Sequence, residues 1–328
     1  MTDLSTTYLG LKLKNPLIVG SSELTNSVDK VMEYEKAGAG AVILKSLFEE
    51  QILMDIDAQR VNNMSGTYDH IENYLGFYLK KHSIDQYLKL ITDCKKSVQI
   101  PVIASLNCFD DSAWIEFAKQ IEKAGADAIE LNIFVMPSNP DVSGAEMEQI
   151  YLNIVEKMVG TVKIPISVKL SAYFSGMAHF MVKLSKTGIK GITLFNRFYS
   201  PTVDIDSEKI TSGSIVTQPA DNANTLRWMS ILSENVSCDL SASTGIHSSK
   251  DLISNLLVGA NTVQMVSSIW SNGSGVITQT LQELNTWMVS KSYSKMDDFR
   301  GKLNQKNINN PMMLERAQFM RYFSDAGR

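Results

Sequence analysis

The chain has 328 residues, 44% of them hydrophobic, with 31 basic and 35 acidic side chains and a formal net charge of −4. That is apolar material enough for one large α/β barrel or two ordinary domains. The near balance of charge, with no long charged run, argues against nucleic acid or an anionic membrane as partner.

The first predicted element is a hairpin, STTYLGLKLKNP, closed by Pro16. LIVGSS (17–22) follows as a strand, then the helix SVDKVMEYEKAG with Ser27 as N-cap and Gly38 as C-cap. AVILKS (41–46) is the second strand. Residues 49–82 are polar and aromatic and read as an elaborated loop, the kind of segment that carries function on a rigid scaffold. The helix SIDQYLKLITDCKKSV leads to the third strand, 101–107, and a helix over 112–124 leads to the fourth, 128–133. After the loop VMPSNPDVSG come the helix AEMEQIYLNIVEKMVGTV, the fifth strand (165–170), a helix over 177–187 and the sixth strand (191–196). RFYSPTVDIDSEKITSGSIVT is a second insertion with room for a small hairpin. A helix near 222–234 precedes the seventh strand (238–243), and a helix over 249–257 precedes the eighth (262–267). The C-terminal segment, 296–328, is mixed helical and polar. Its apolar points, Met312, Met313, Leu314, Phe319 and Phe323, suit packing on the barrel or on a partner chain.

One phrase recurs four times: AGAGAVILK, AGADAIELN, TGIKGITLFN and VGANTVQMVSS. Each reads as helix end, Gly cap, buried strand and polar strand end. Eight such βα units predict a closed (β/α)8 TIM barrel, one domain over 1–328, with an N-terminal hairpin and a C-terminal helical extension (296–328). An open doubly wound sheet is the structural alternative. Three widely spaced cysteines, Cys94, Cys108 and Cys238, make neither a disulfide framework nor a metal cluster, which fits a reducing cytoplasm. No leader peptide and no run of about 18 apolar residues is visible, so a cytoplasmic protein without a membrane span is expected.

In a barrel of this kind the site lies where strands end and βα loops begin. Those ends carry Ser21 and Ser22, Lys45 and Ser46, Asn107, Asn132, Lys169, Asn196, Thr244 and Gly245, and Ser267 and Ser268. Two lysines and three amides converge there, with no evident His, Asp or Glu base. Such a set suits a phosphate and an electron-rich ring whose polar edge needs donors. The lysines also fit ion pairs or an aldolase-type Schiff base, and Asn132 and Asn196 also fit strand-end backbone bonds. Arg197 suits a substrate carboxylate, or else pairs with Asp204 or Asp206. Cys108 reads as a small buried hydrophobe or as a thiol nucleophile. His247 reads as a solvent-facing ring.

These motifs resemble those of the dihydroorotate dehydrogenase family, over roughly Leu9 to Leu303. KNPLIVGS, AVILKS, VIASLN, IELNIFVMPSN, ISVKL, ITLFN, SASTGI and GANTVQMVSS stand in the family's order. The resemblance implies FMN as cofactor. It implies Lys45 near the redox edge of the flavin, and Lys169 at its polar edge or ribityl chain. It places Ser21, Ser46, Asn107, Asn132 and Thr244 around the flavin, with Asn132 also near substrate. It implies Asn196 for a cyclic imide-like substrate, and backbone amides of Gly245, Ser267 and Ser268 on the phosphate. The family's base, a Cys or Ser before a Pro, is replaced by Met136, which leaves Ser138 and Cys108 as candidates. Asn73 is the nearest match to the family's substrate loop. Thr244 and Val266 stand where the family has Gly. The implied activity is that of a cytoplasmic, homodimeric flavoprotein of pyrimidine biosynthesis. It would oxidise dihydroorotate or a related dihydropyrimidine-like molecule and pass electrons to an unidentified acceptor. The alternatives are a flavin barrel with another substrate or a regulatory role, and a Lys169-dependent lyase.

Overall fold

The computed structural model describes residues 2–48, 69–107, 111–198 and 200–316. The hairpin forms as expected: β1 (Thr6–Tyr8) pairs antiparallel with β2 (Leu11–Leu13). Eight parallel strands then make the barrel: β3 (Leu17–Val19), β4 (Ala41–Ile43), β6 (Val102–Asn107), β7 (Ala128–Asn132), β8 (Ile166–Leu170), β9 (Gly191–Leu194), β12 (Asp239–Ala242) and β13 (Thr262–Met265). A short β5 (Leu47–Phe48) lies beside the end of β6. Pairing of β4 with β6 and of β13 with β3 closes the cylinder, so the open-sheet alternative is overturned.

The helices between strands are α1 (Val28–Ala37), α2 (Asp69–Ser97), α3 (Asp111–Ala124), α4 (Gly144–Val159), α5 (Met177–Ser185), α6 (Asn222–Leu232) and α7 (Ser249–Leu257). After β13 come α8 (Ser267–Asn272) and α9 (Gly275–Ser290), and a short α10 (Met312–Glu315) follows near the end. The loop reading of residues 49–82 needs correction over 69–82, and residues 49–68 lie outside the described residues. Residues 69–82 are the first part of α2, and the spacing of Ile71, Leu75, Tyr78 and Leu79 supports a helix there. Asn73 lies in this helical stretch, where the backbone alone is described. Cys108 lies outside the described residues.

The four repeat glycines, Gly38, Gly125, Gly188 and Gly259, have φ of 109°, 93°, 102° and 118°. Only glycine adopts that left-handed region without strain, so the repeat encodes how each chain reversal leaves its helix. Two of the units also share an acidic residue three positions earlier. Glu35 Oε1 accepts from the amides of Gln99 and Ile100, and Glu122 Oε1 from those of Lys163 and Ile164. Each carboxylate thus ties its helix to the chain entering the barrel strand after next, β6 for Glu35 and β8 for Glu122.

Helices and outer strand faces bury the larger apolar cluster. The interior differs. Tyr8, Leu9 and Leu13 of the hairpin pack against Ile18, Ile43, Ile103 and Ala128 and stopper the N-terminal end. Above them the inward positions are polar: Ser105, Glu130, Ser167, Thr193, Ser241, Thr262 and Gln264 are all buried. Barrel interiors are more often filled with bulky branched residues. The second insertion forms the hairpin β10 (Pro201–Asp204) and β11 (Lys209–Ser212), exposed throughout. The segment after α9 buries Met296 and Phe299, the latter against the rings of Trp287 and Tyr293, and Gly301 and Leu303 donate to the last carbonyls of α7. Met312 and Met313 are exposed, and Phe319 and Phe323 lie outside the described residues.

Candidate active site

A cavity of about 370 Å³ opens at the C-terminal ends of β3, β8, β9, β12 and β13. Of the residues chosen from sequence, Ser21, Lys169, Asn196, Arg197, Thr244, Gly245 and Ser267 line it. The volume falls within the range of small-molecule sites.

Lys169 forms the floor. Its side chain is 8% exposed, and Nζ donates to Gln264 Oε1 at 3.4 Å. Beneath lies Glu130, wholly buried, with Oε1 3.9 Å from Lys169 Nζ. Glu130 Oε2 accepts from Thr193 Oγ1 at 3.0 Å and from Gln264 Nε2 at 2.9 Å. Tyr8 reaches the same cluster from below, its hydroxyl 3.5 Å from Thr193 Oγ1. Burial pushes the Tyr8 phenol far above its usual range, and the nearby Glu130 charge pushes it further, so it serves as a neutral stopper. The strand-end reading, which found no evident His, Asp or Glu base, did not include Glu130 below the cavity floor. The signal was available in period-2 alternation: Asn132 and Glu130 share a strand face, as do Lys169 and Ser167.

Asn132 and Asn196 meet directly, Asn196 Nδ2 donating to Asn132 Oδ1 at 2.7 Å. This amide orientation leaves Asn132 Nδ2 and Asn196 Oδ1, one donor and one acceptor, with no partner among the described residues. Arg197 pairs with neither Asp204 nor Asp206. Its guanidinium donates to the carbonyls of Ile215 and Ser214, at 2.6 Å for the latter, and walls the cavity. Asp204 instead accepts from Ser207 and from the Asp206 amide, and those bonds hold its carboxyl below the usual range.

Lys45 stands outside the cavity lining, paired with Glu23, whose carboxyl the Lys45 hydrogen bond holds below its ordinary range. Ser46 joins a hydroxyl chain, 3.1 Å from Ser21 and 2.6 Å from Ser105. Asn107 is half-buried at the end of β6. Met136 and Ser138 are exposed on the loop after β7, and the Ser138 amide donates to the Met136 carbonyl at 2.8 Å.

At the other side of the mouth, Thr244 has φ of 79°. A β-branched residue rarely adopts this conformation. The backbone thus makes a glycine-type turn at a threonine, and Thr244 Oγ1 ties it by donating to the Phe195 carbonyl at 2.8 Å. The amides of Gly245, Ile246, Ser267 and Ser268 donate to no group among the described residues. Ser267 and Ser268 begin α8, where helix amides lack an internal acceptor. The Ser268 hydroxyl is buried without a partner among the described residues.

One further residue was missed from sequence. Thr217, at the exit of the second insertion, spans both late loops. Its amide and hydroxyl donate to Ser267 Oγ at 3.0 and 2.9 Å, and its hydroxyl lies 2.9 Å from His247 Nε2. The His247 ring therefore faces Thr217, contrary to the solvent-facing ring expected. Ser267 Oγ accepts twice from Thr217, which frees its own proton for the cavity. Thr217→Val removes two of these bonds and is expected to cost about 1–3 kcal/mol in urea unfolding.

A closed eight-stranded βα barrel with buried donors at its C-terminal mouth defines a TIM-barrel enzyme. The Dihydroorotate dehydrogenase family model matches residues 3–288, and the chain belongs to that family. It is 24% identical over 318 residues to the Dihydroorotate dehydrogenase B (NAD(+)), catalytic subunit, of Thermoplasma volcanium, covering 92% of this chain and 98% of that one. It is 24% identical over 330 residues to the NAD-dependent dihydropyrimidine dehydrogenase subunit PreA of Escherichia coli K12, covering 93% and 78%. It is 24% identical over 334 residues to the chloroplastic Dihydropyrimidine dehydrogenase (NADP(+)) of Arabidopsis thaliana, covering 91% and 76%. The protein is a dehydrogenase of the type acting on CH–CH groups, which displaces the lyase reading.

Proposed function

We propose that the protein is an FMN-dependent oxidoreductase that oxidises dihydroorotate or a related cyclic amide. The observation that carries this reading is the spare donor and acceptor on the joined Asn132–Asn196 pair, which complement the adjacent N–H and C=O of a cyclic amide. The residues present also fit a phosphorylated flavin. The free amides of Gly245, Ile246, Ser267 and Ser268 suit its phosphate, and Lys169 faces the cavity from the floor, where an electron-rich ring edge needs a cation. Ser21, Ser46, Asn107 and Thr244 complete the cofactor side, with Lys45 at its margin. When bound, FMN supplies the hydride chemistry, and the protein binds, orients and excludes water. The proton released from substrate goes to Ser138 or Cys108, and Asn73 and Arg197 border the substrate.

A second reading, a flavin barrel with a different substrate or a regulatory role, is favoured by Met136, since a thioether takes no proton at the position of the family's base. Among the described residues no helix is long and apolar enough to cross a membrane. A cytoplasmic homodimer that passes electrons to a separate acceptor belongs to the proposal.

The decisive experiment is anaerobic. Purified protein, soaked in FMN if necessary, should be yellow, and dihydroorotate or another dihydropyrimidine should bleach it. A preparation that stays colourless rules out the flavin. A yellow preparation that no dihydropyrimidine bleaches rules out the substrate class and leaves the second reading. Reoxidation by NAD+, fumarate or a quinone then identifies the acceptor.

A further inference from the structure

Glu130 has no role in the reaction as proposed above, yet its carboxylate is wholly buried on the barrel axis, directly beneath the cavity. Oε2 is satisfied by Thr193 and Gln264, at 3.0 and 2.9 Å. Oε1 has no hydrogen-bond partner among the described residues and lies 3.9 Å from Lys169 Nζ. A buried carboxylate left half-satisfied is costly, and an apolar residue of similar volume serves stability as well or better. Stability alone therefore does not explain the residue.

Its geometry does. A carboxylate without a proton only accepts, so Glu130 Oε2 compels Gln264 to offer Nε2 downward and Oε1 upward. Gln264 Oε1 is the atom to which Lys169 donates. The ammonium thus has one acceptor, Gln264 Oε1 at 3.4 Å, and a counter-charge 3.9 Å away, both farther than the ~2.7–2.9 Å of a full charge-assisted bond, and it keeps donors free for the cavity. Given the flavin reading, we propose that Glu130 is a positioning residue for the reaction. It fixes the Gln264 amide and supplies the counter-charge that keeps the Lys169 ammonium buried beneath the electron-rich edge of the cofactor. A glutamine at 130 accepts and donates equally well, so it leaves the orientation of Gln264 undecided and Lys169 without an opposite charge.

The test uses the isosteric Glu130→Gln and two readouts. In apoprotein, the rate of Lys169 acetylation by acetic anhydride, mapped by mass spectrometry, should rise severalfold, because the amine has lost its counter-charge and its fixed acceptor. In the FMN-loaded protein, the flavin midpoint potential should move to more positive values, because a negative charge near the ring has gone. The double variant Glu130→Gln, Gln264→Glu returns a carboxylate to Lys169 and should bring both readouts back toward the parent. Unchanged acetylation together with an unchanged potential in Glu130→Gln overturns the proposal. If Glu130→Gln does not fold, the double variant decides alone: parent-like acetylation of Lys169 supports the role, and fast acetylation overturns it. Acetylation needs no flavin, so a protein that never turns yellow defeats the cofactor reading separately.

Discussion

Lys169→Met should produce a protein that folds less stably and binds FMN poorly. The substitution preserves length and apolar stem but deletes the ammonium. Glu130 then lies at 0% exposure with an oxygen already lacking a partner and no opposite charge nearby. Breaking a buried pair by removing one member costs about 3–5 kcal/mol, mainly as the penalty of the stranded charge. A lowered urea midpoint measures it. The pair Lys169→Met, Glu130→Leu removes both charges and should regain most of that stability. It should not regain flavin affinity or reduction rate, because the cation at the cavity floor is still gone. Recovery of both together would mean that Lys169 acts only through the fold.

Gly245→Ala should be nearly as damaging, for a steric reason. A Cβ there would lie 2.2 Å from the amide nitrogen of Asn222 and 2.8 Å from its Cα. Both are backbone atoms at the start of α6, and Asn222 is itself held by Asn255 at 3.0 Å. The residue also sits at φ of 75°. The left-handed strain alone costs about 1–3 kcal/mol, and displacement of the helix start adds to it. Because the same loop offers the Gly245 and Ile246 amides, affinity for FMN should fall more than affinity for riboflavin, which lacks the phosphate. Equal losses for both ligands would place the phosphate elsewhere. Thr244→Gly tests the opposite direction, relieving strain but giving up the bond to Phe195.

Much of the scaffold was legible because the information is local. Glycine three or four residues before each apolar burst marks a chain reversal, and all four such glycines adopt the conformation that demands them. The eight strands fell within the ranges read from sequence, as did the small hairpin of the second insertion. The beginning of α2 was hidden because aromatic and polar residues there resemble a loop when counted by composition rather than by period. The polar interior was hidden for a different reason. Strands buried on both faces read as continuous apolar runs, and a single Glu or Gln within AIELN or TVQM looks like an interruption. Only when the two faces are read separately do Glu130, Thr193 and Gln264 fall on the axis beside Lys169. Contacts such as Thr217 with His247 and Ser267 join residues 30 and 50 positions apart, which no local pattern reveals. Arg197 spent its guanidinium on two carbonyls of its own insertion, a choice set by the return path of the chain.

The N-terminal hairpin has a kinetic consequence. With Tyr8 and Leu9 filling the N-terminal end of the cylinder, the described cavity is reached by small molecules from the mouth above Lys169. A spent molecule must then leave before a diffusible successor can occupy its place. Steady-state rates measured against two varied reactants should give parallel double-reciprocal lines, unless electrons leave through the wall to a docked protein.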